Sequence, residues 1–161
     1  MAKTQTLLDL DSMVDEVLDD INETPDYCNP PAGDYKLISK DGKITKFEQD
    51  DGTEVQSIVI TIAVVETLEL VSDEEPPVAD GSLFTTRFQG TVEGVGTFKK
   101  EIRKMSGLES TNGMSIGSAF ELLESGLEFN GRIGYSTYKG RDGVIYTSLR
   151  MKILPQQISV D

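Results

Sequence analysis

The sequence contains no histidine and no tryptophan, and its one cysteine is Cys28. Without histidine there is no Ser-His-Asp or Cys-His nucleophile system. A single thiol leaves neither a Cys/His zinc site nor an internal disulfide. Basic residues are scarce as well: 15 lysines and arginines stand against 28 acids, a formal charge of −13. That balance argues against wrapping duplex DNA by bulk charge. No run approaches the roughly 18 apolar residues of a transmembrane helix. The start, Met1-Ala2-Lys3-Thr4, leads into acidic sequence rather than an apolar signal core. The expectation is a cytoplasmic protein with no membrane partner and a reduced thiol. At 161 residues it has room for one domain with a real core.

The negative charge is unevenly spread. Residues 1–34 hold one lysine against nine acids, and residues 71–81 hold four acids and no base. From Ser82 onward ten basic residues meet eight acids, so −15 in the first half becomes +2 in the second. Such a chain behaves as an acidic arm beside a near-neutral domain with basic spots.

Within the arm, residues 1–29, Leu7, Leu10, Val14, Val17 and Ile21 recur at helical intervals among Asp9, Asp11, Asp15, Glu16, Asp19 and Asp20. The spacing predicts an acidic amphipathic helix over 7–21, one that needs a partner surface because its carboxylates repel one another. Asn29-Pro30-Pro31-Ala32-Gly33 closes the linker, and residues 30–155 then read as a β domain, followed by a short tail over 156–161.

Strands are expected over 34–40 and 43–47 about an Asp41-Gly42 hairpin turn, over 55–70, and over 83–91. Ile58, Val59, Ile60, Ile62, Val64 and Val65 make the third of these apolar on both faces, as a central strand is. The same isoleucine-rich strand raises the expectation of a homo-oligomer paired across an edge. A helix is marked by Phe98, Ile102 and Met105, with Lys99, Lys100, Arg103 and Lys104 as its wet side. A second helix spans 116–124, and strands over 127–138 and 143–154 close the chain. Five or six strands with a helical insertion before the last two favour a small barrel over a sandwich.

Parity in the last two strands carries the functional reading. Ile145, Thr147, Leu149, Met151 and Ile153 define a core face, with Phe129, Ile133 and Tyr135 inward on the neighbouring strand. Outward, Tyr138 and Tyr146 lie among Arg132, Arg150 and Lys152, with Lys139 and Arg141 at the tip and Lys36 and Lys40 from the first strand. Aromatic faces that stack bases, flanked by cations that follow phosphates, are what a single-stranded nucleic acid requires. The plain alternative is an ordinary solvated sheet face.

Other patterns fail on spacing. Asp9-x-Asp11 opens like a calcium loop, but Val14 stands where the loop needs glycine. Gly90, Gly94 and Gly96 lack phosphate-loop spacing and read as turn or bulge glycines. Asn22-Glu23-Thr24 has a glycosylation sequon's letters without an export signal. No acids converge from strand ends beside a lysine, so no metal, cofactor or enzymatic activity is expected.

Pro30-Pro31-Ala32-Gly33-Asp34-Tyr35-Lys36-Leu37, after its acidic leader, resembles the start of the OB-fold core in a group of bacteriophage single-stranded DNA-binding proteins. Leu127-Glu128-Phe129-Asn130-Gly131-Arg132-Ile133 and Tyr138-Lys139-Gly140-Arg141-Asp142-Gly143-Val144-Ile145-Tyr146 are similar to the closing strand pair of those proteins. The resemblance implies a mainly β fold: a five- to six-stranded OB-fold-like barrel with short helices, binding single-stranded DNA in phage replication or recombination. In such proteins the acidic, partner-recruiting segment is often C-terminal, whereas here it is N-terminal.

The expected site is then Tyr138, Tyr146 and Tyr135 for stacking, with Arg132, Arg150, Lys152, Lys139, Arg141 and Lys36 along the phosphates. The acidic arm would cover that face when DNA is absent, or contact a replication or recombination protein. The competing readings are a phage structural or protein-interaction component docking through its arm, and a DNA-mimicking inhibitor.

Overall fold

The computed structural model describes residues 8–19, 27–72 and 74–155. Its elements in chain order are β1 (Gly33–Glu48), β2 (Glu54–Leu70), β3 (Leu83–Gln89), α1 (Val92–Ser106), α2 (Ile116–Glu124), β4 (Glu128–Lys139) and β5 (Ile145–Ile153). The strands form one mainly antiparallel β architecture, an open sheet of order β3-β2-β1-β4-β5. The expected barrel closure is not seen: β3 and β5 are the two edges, and among the described residues no ladder joins them.

The apolar run lies where its composition demands. In β2, Ile58, Ile60, Ile62 and Val64 join the core, while Val59 and Ala63 are buried on the opposite face. Over Ser57–Ala63 this strand is paired on both sides, by β1 and β3, so its isoleucines do not lie on a sheet edge as the expected edge pairing requires.

Asp41-Gly42 is not a hairpin turn. β1 runs through it, and the pairing with β2 slips by one residue between Ser39 and Asp41. A bulge of this kind bends the strand instead of reversing it. Glycine is required there by packing, since a Cβ on Gly42 would lie 2.5 Å from Cδ1 of Phe120 on α2.

Both helices follow their signals. Thr91 caps α1 by accepting from the Gly94 N–H at 3.0 Å, and Gly107 ends it in the left-handed region at φ 74°. Phe98, Ile102 and Met105 are buried and Lys99, Lys100 and Lys104 exposed, as the spacing predicts, whereas Arg103 of the expected wet side is half-buried. Gly94 and Gly96 lie inside this helix rather than in a turn or bulge. Ser115 and Ser118 form a capping box on α2, whose Ala119 and Leu123 complete the core. Neither helix is long and apolar enough to cross a membrane.

The acidic amphipathic helix is not supported. Residues 7, 20 and 21 lie outside the described residues, and over 8–19 the one helical element is a 3-10 turn, Asp11–Met13. Leu10, Val14 and Val17 are more than 70% exposed, so no apolar surface offsets the repulsion among the carboxylates.

Candidate nucleic-acid interface

The face in question is set by the β4–β5 register. Arg132 sits opposite Lys152, Gly134 opposite Arg150, Ser136 opposite Ser148 and Tyr138 opposite Tyr146. Directly opposed residues share a face of the sheet, so the structure gathers Arg132, Lys152, Arg150, Tyr146 and Tyr138 into one row. β1 extends it: Asp34 pairs with Arg132, and Lys36 with Asn130.

Tyr138 and Tyr146 end the row. Their rings stack with centroids 5.5 Å apart and planes 23° from parallel, and both remain exposed. Each ring spends one face on its partner, and each side chain stays partly open to solvent. The turn that joins the strands fixes Tyr146. The Asp142 carboxylate accepts from the Tyr146 hydroxyl at 2.5 Å and from the Val144 N–H at 3.0 Å. These bonds lower the Asp142 carboxyl pKa, and the carboxylate raises that of the Tyr146 phenol. Gly140 lets the ring lie against the backbone, because a Cβ there would be 2.6 Å from Tyr146 Cε2.

Not every expected residue joins the row. Tyr135 pairs with Leu149 on the opposite face and its hydroxyl donates to the Pro30 carbonyl at 2.5 Å, so it braces the linker. Lys139 pairs with Ile145, which places it on that opposite face too, and Arg141 stands in the exposed turn. The core face of β5 begins only at Leu149. Ile145 is 70% exposed, and Thr147 is exposed as well.

Two features have no local sequence signal. Asp34 holds Arg132 through a fork, Nε to Oδ1 at 2.8 Å and Nη2 to Oδ2 at 3.2 Å, the ion pair found among the described residues. The hydrogen bond from Arg132 keeps the Asp34 carboxyl below its usual range. A phosphate at Arg132 must therefore compete with a bidentate carboxylate. Glu66 and Glu69, opposite Lys36 and Asp34, add negative charge at this end. The favourable end of the row is thus Arg150, Tyr146 and Tyr138, where Arg150 donates from Nε to Ser136 at 3.0 Å and remains exposed.

The second feature is Arg87 on β3. It opposes Val59, is exposed, and lines with Arg150 a cavity between the two edge strands. Set against known protein families and curated proteins, the chain matches no family model and no curated sequence.

Proposed function

We propose that this chain is a non-enzymatic single-stranded DNA-binding protein of OB-like design, largely indifferent to sequence, acting in phage replication or recombination. The observation that carries the reading is the exposed Tyr138–Tyr146 stack at the end of a cationic row. Stacking contributes about 1–3 kcal/mol per base whatever the base, and the cations beside it follow the backbone. Support for the OB-like design comes from the strand order, with a bent β1 shared by both halves of the sheet and helices inserted between β3 and β4.

The exposed leucines and valines of the acidic leader favour a second role, contact with a replication or recombination protein. A structural component that docks through that leader alone would leave the tyrosine row unused.

The test is fluorescence anisotropy of a labelled single strand of about 30 nucleotides, beside a duplex, over a range of salt. Binding to the single strand should weaken with a log–log slope of roughly −0.7 for each phosphate contacted. Changing Tyr138 and Tyr146 together to alanine should weaken it by roughly tenfold or more. Equal binding by the double variant would overturn the reading.

A further inference from the structure

The open seam of the sheet has the makings of a site. Between β3 and β5 lies a cavity of about 490 Å³, lined by residues 85–88 of one edge and 147–151 of the other. Thr97 and Glu101 of α1 form its floor. By strand parity Thr86 and Phe88 share the core-facing side with Leu149 and Met151, while Arg87 and Arg150 stand exposed at its mouth.

Two of its polar groups lack partners. Oε2 of Glu101 and Oγ1 of Thr86 are buried without a hydrogen bond, two of the five such side-chain atoms among the described residues. Buried polar groups are normally satisfied, so this concentration locates where donors and acceptors are wanting. Burial raises the Glu101 carboxyl pKa in spite of Lys104 and Lys100 nearby. A ligand that supplies N–H donors would relieve that cost.

We infer that this seam receives one guanine base of the bound strand, with the Glu101 carboxylate accepting from its N1–H and N2–H. The inference rests on the single-strand reading above and adds a local preference to a largely sequence-independent track. Guanine is the one DNA base whose pairing edge offers two adjacent N–H donors, the arrangement that a carboxylate accepts as a fork. Adenine and cytosine place an acceptor nitrogen beside their amino group, and thymine sets carbonyls on both sides of its single N–H. Phe88, Leu149 and Met151 give the base apolar walls. Arg150 already belongs to the phosphate row, so a strand passing Tyr146 reaches the mouth of the seam without a detour. Arg87 meets its backbone on the far side.

The experiment uses the full chain and four labelled thymine 12-mers that differ at one central position, which is thymine, adenine, cytosine or guanine. Hydrogen bonds to a charged group contribute about 1.5–3 kcal/mol, so the guanine strand should bind roughly tenfold or more tighter than the thymine strand. In Glu101→Gln, whose amide offers one acceptor and a donor that opposes guanine, that ratio should fall below about threefold. Thr86→Val, which keeps the shape and removes the hydroxyl, should lower it less. A circular-dichroism spectrum matching the wild type establishes that each variant is folded. Four equal affinities in the wild type would overturn this inference alone. They are also what an extended peptide paired to both strand edges would give. A guanine preference that survives Glu101→Gln would overturn it equally. Binding of none of the strands would overturn the proposed function, and this inference with it.

Discussion

Arg132 shows how one contact resets the role of a residue. By parity it belongs to the cationic row, yet its guanidinium is forked onto Asp34. Asp34→Asn should free it: the salt dependence of single-strand binding steepens by roughly 0.7 on the log–log plot. Because the Arg132 guanidinium is exposed to solvent, which screens the pair, the thermal unfolding midpoint should move only slightly. Tyr35 sets a different condition. It is buried in the core, its hydroxyl donates to the Pro31 carbonyl, and burial pushes its phenol from near 10 up to about 12. A folded-state pKa above the unfolded one means stability is full below pH 10 and is lost as pH rises toward 12. Urea midpoints measured across that window should fall with pH, and Tyr35→Phe should flatten the decline while lowering stability at neutral pH.

Among elements, the bend of β1 matters most, since both halves of the sheet hang on it. Ser39 sits at that bend, 1% exposed. Its hydroxyl donates to the Leu123 carbonyl at 2.8 Å and accepts from the Leu127 N–H at 2.9 Å. One side chain thus joins the end of α2 to the start of β4. Ser39→Ala leaves the Leu127 N–H unpartnered, while the Leu123 carbonyl keeps the Gly126 N–H at 3.1 Å; it should cost about 1–3 kcal/mol in urea unfolding, with the midpoint shifted and the slope unchanged. The first helix was legible from residues alone, because apolar spacing through Phe98, Ile102 and Met105 is local; the caps at Thr91 and Ser115 were seen only in the structure. The bulge was not legible. Asp41-Gly42 has the composition of a turn, and it is the continued pairing of β1 with the distant β2 that makes it a bend.

For the whole molecule the governing quantity is the division of charge. The leader is anchored where Cys28 N–H donates to the Leu83 carbonyl at 2.7 Å, beside the Tyr27–Leu83 bridge. Removing residues 1–26 keeps that anchor and takes away eight of the 28 acids. If the leader shields the basic row, the truncated protein should bind a single strand more tightly at low salt, with the gain shrinking as salt rises. Unchanged or weaker binding would count against shielding and leave the leader to a partner protein.

What the amino-acid order determined by itself is whatever depends on neighbours a few residues apart. The missing histidines exclude whole classes of chemistry, periods of 3.6 and 2 mark helices and strands, and parity placed Tyr138, Tyr146, Arg150 and Lys152 on one face before any register was known. The tertiary structure decided what depends on distant segments meeting. Asp34 and Arg132 are 98 residues apart, and the facing of β3 and β5 across a floor of α1 brings Thr86, Glu101 and Arg150 to one cavity. The physical reason is that side-chain direction along a strand is a local property of the backbone. Which strand lies opposite is set by burying the core faces of all five at once.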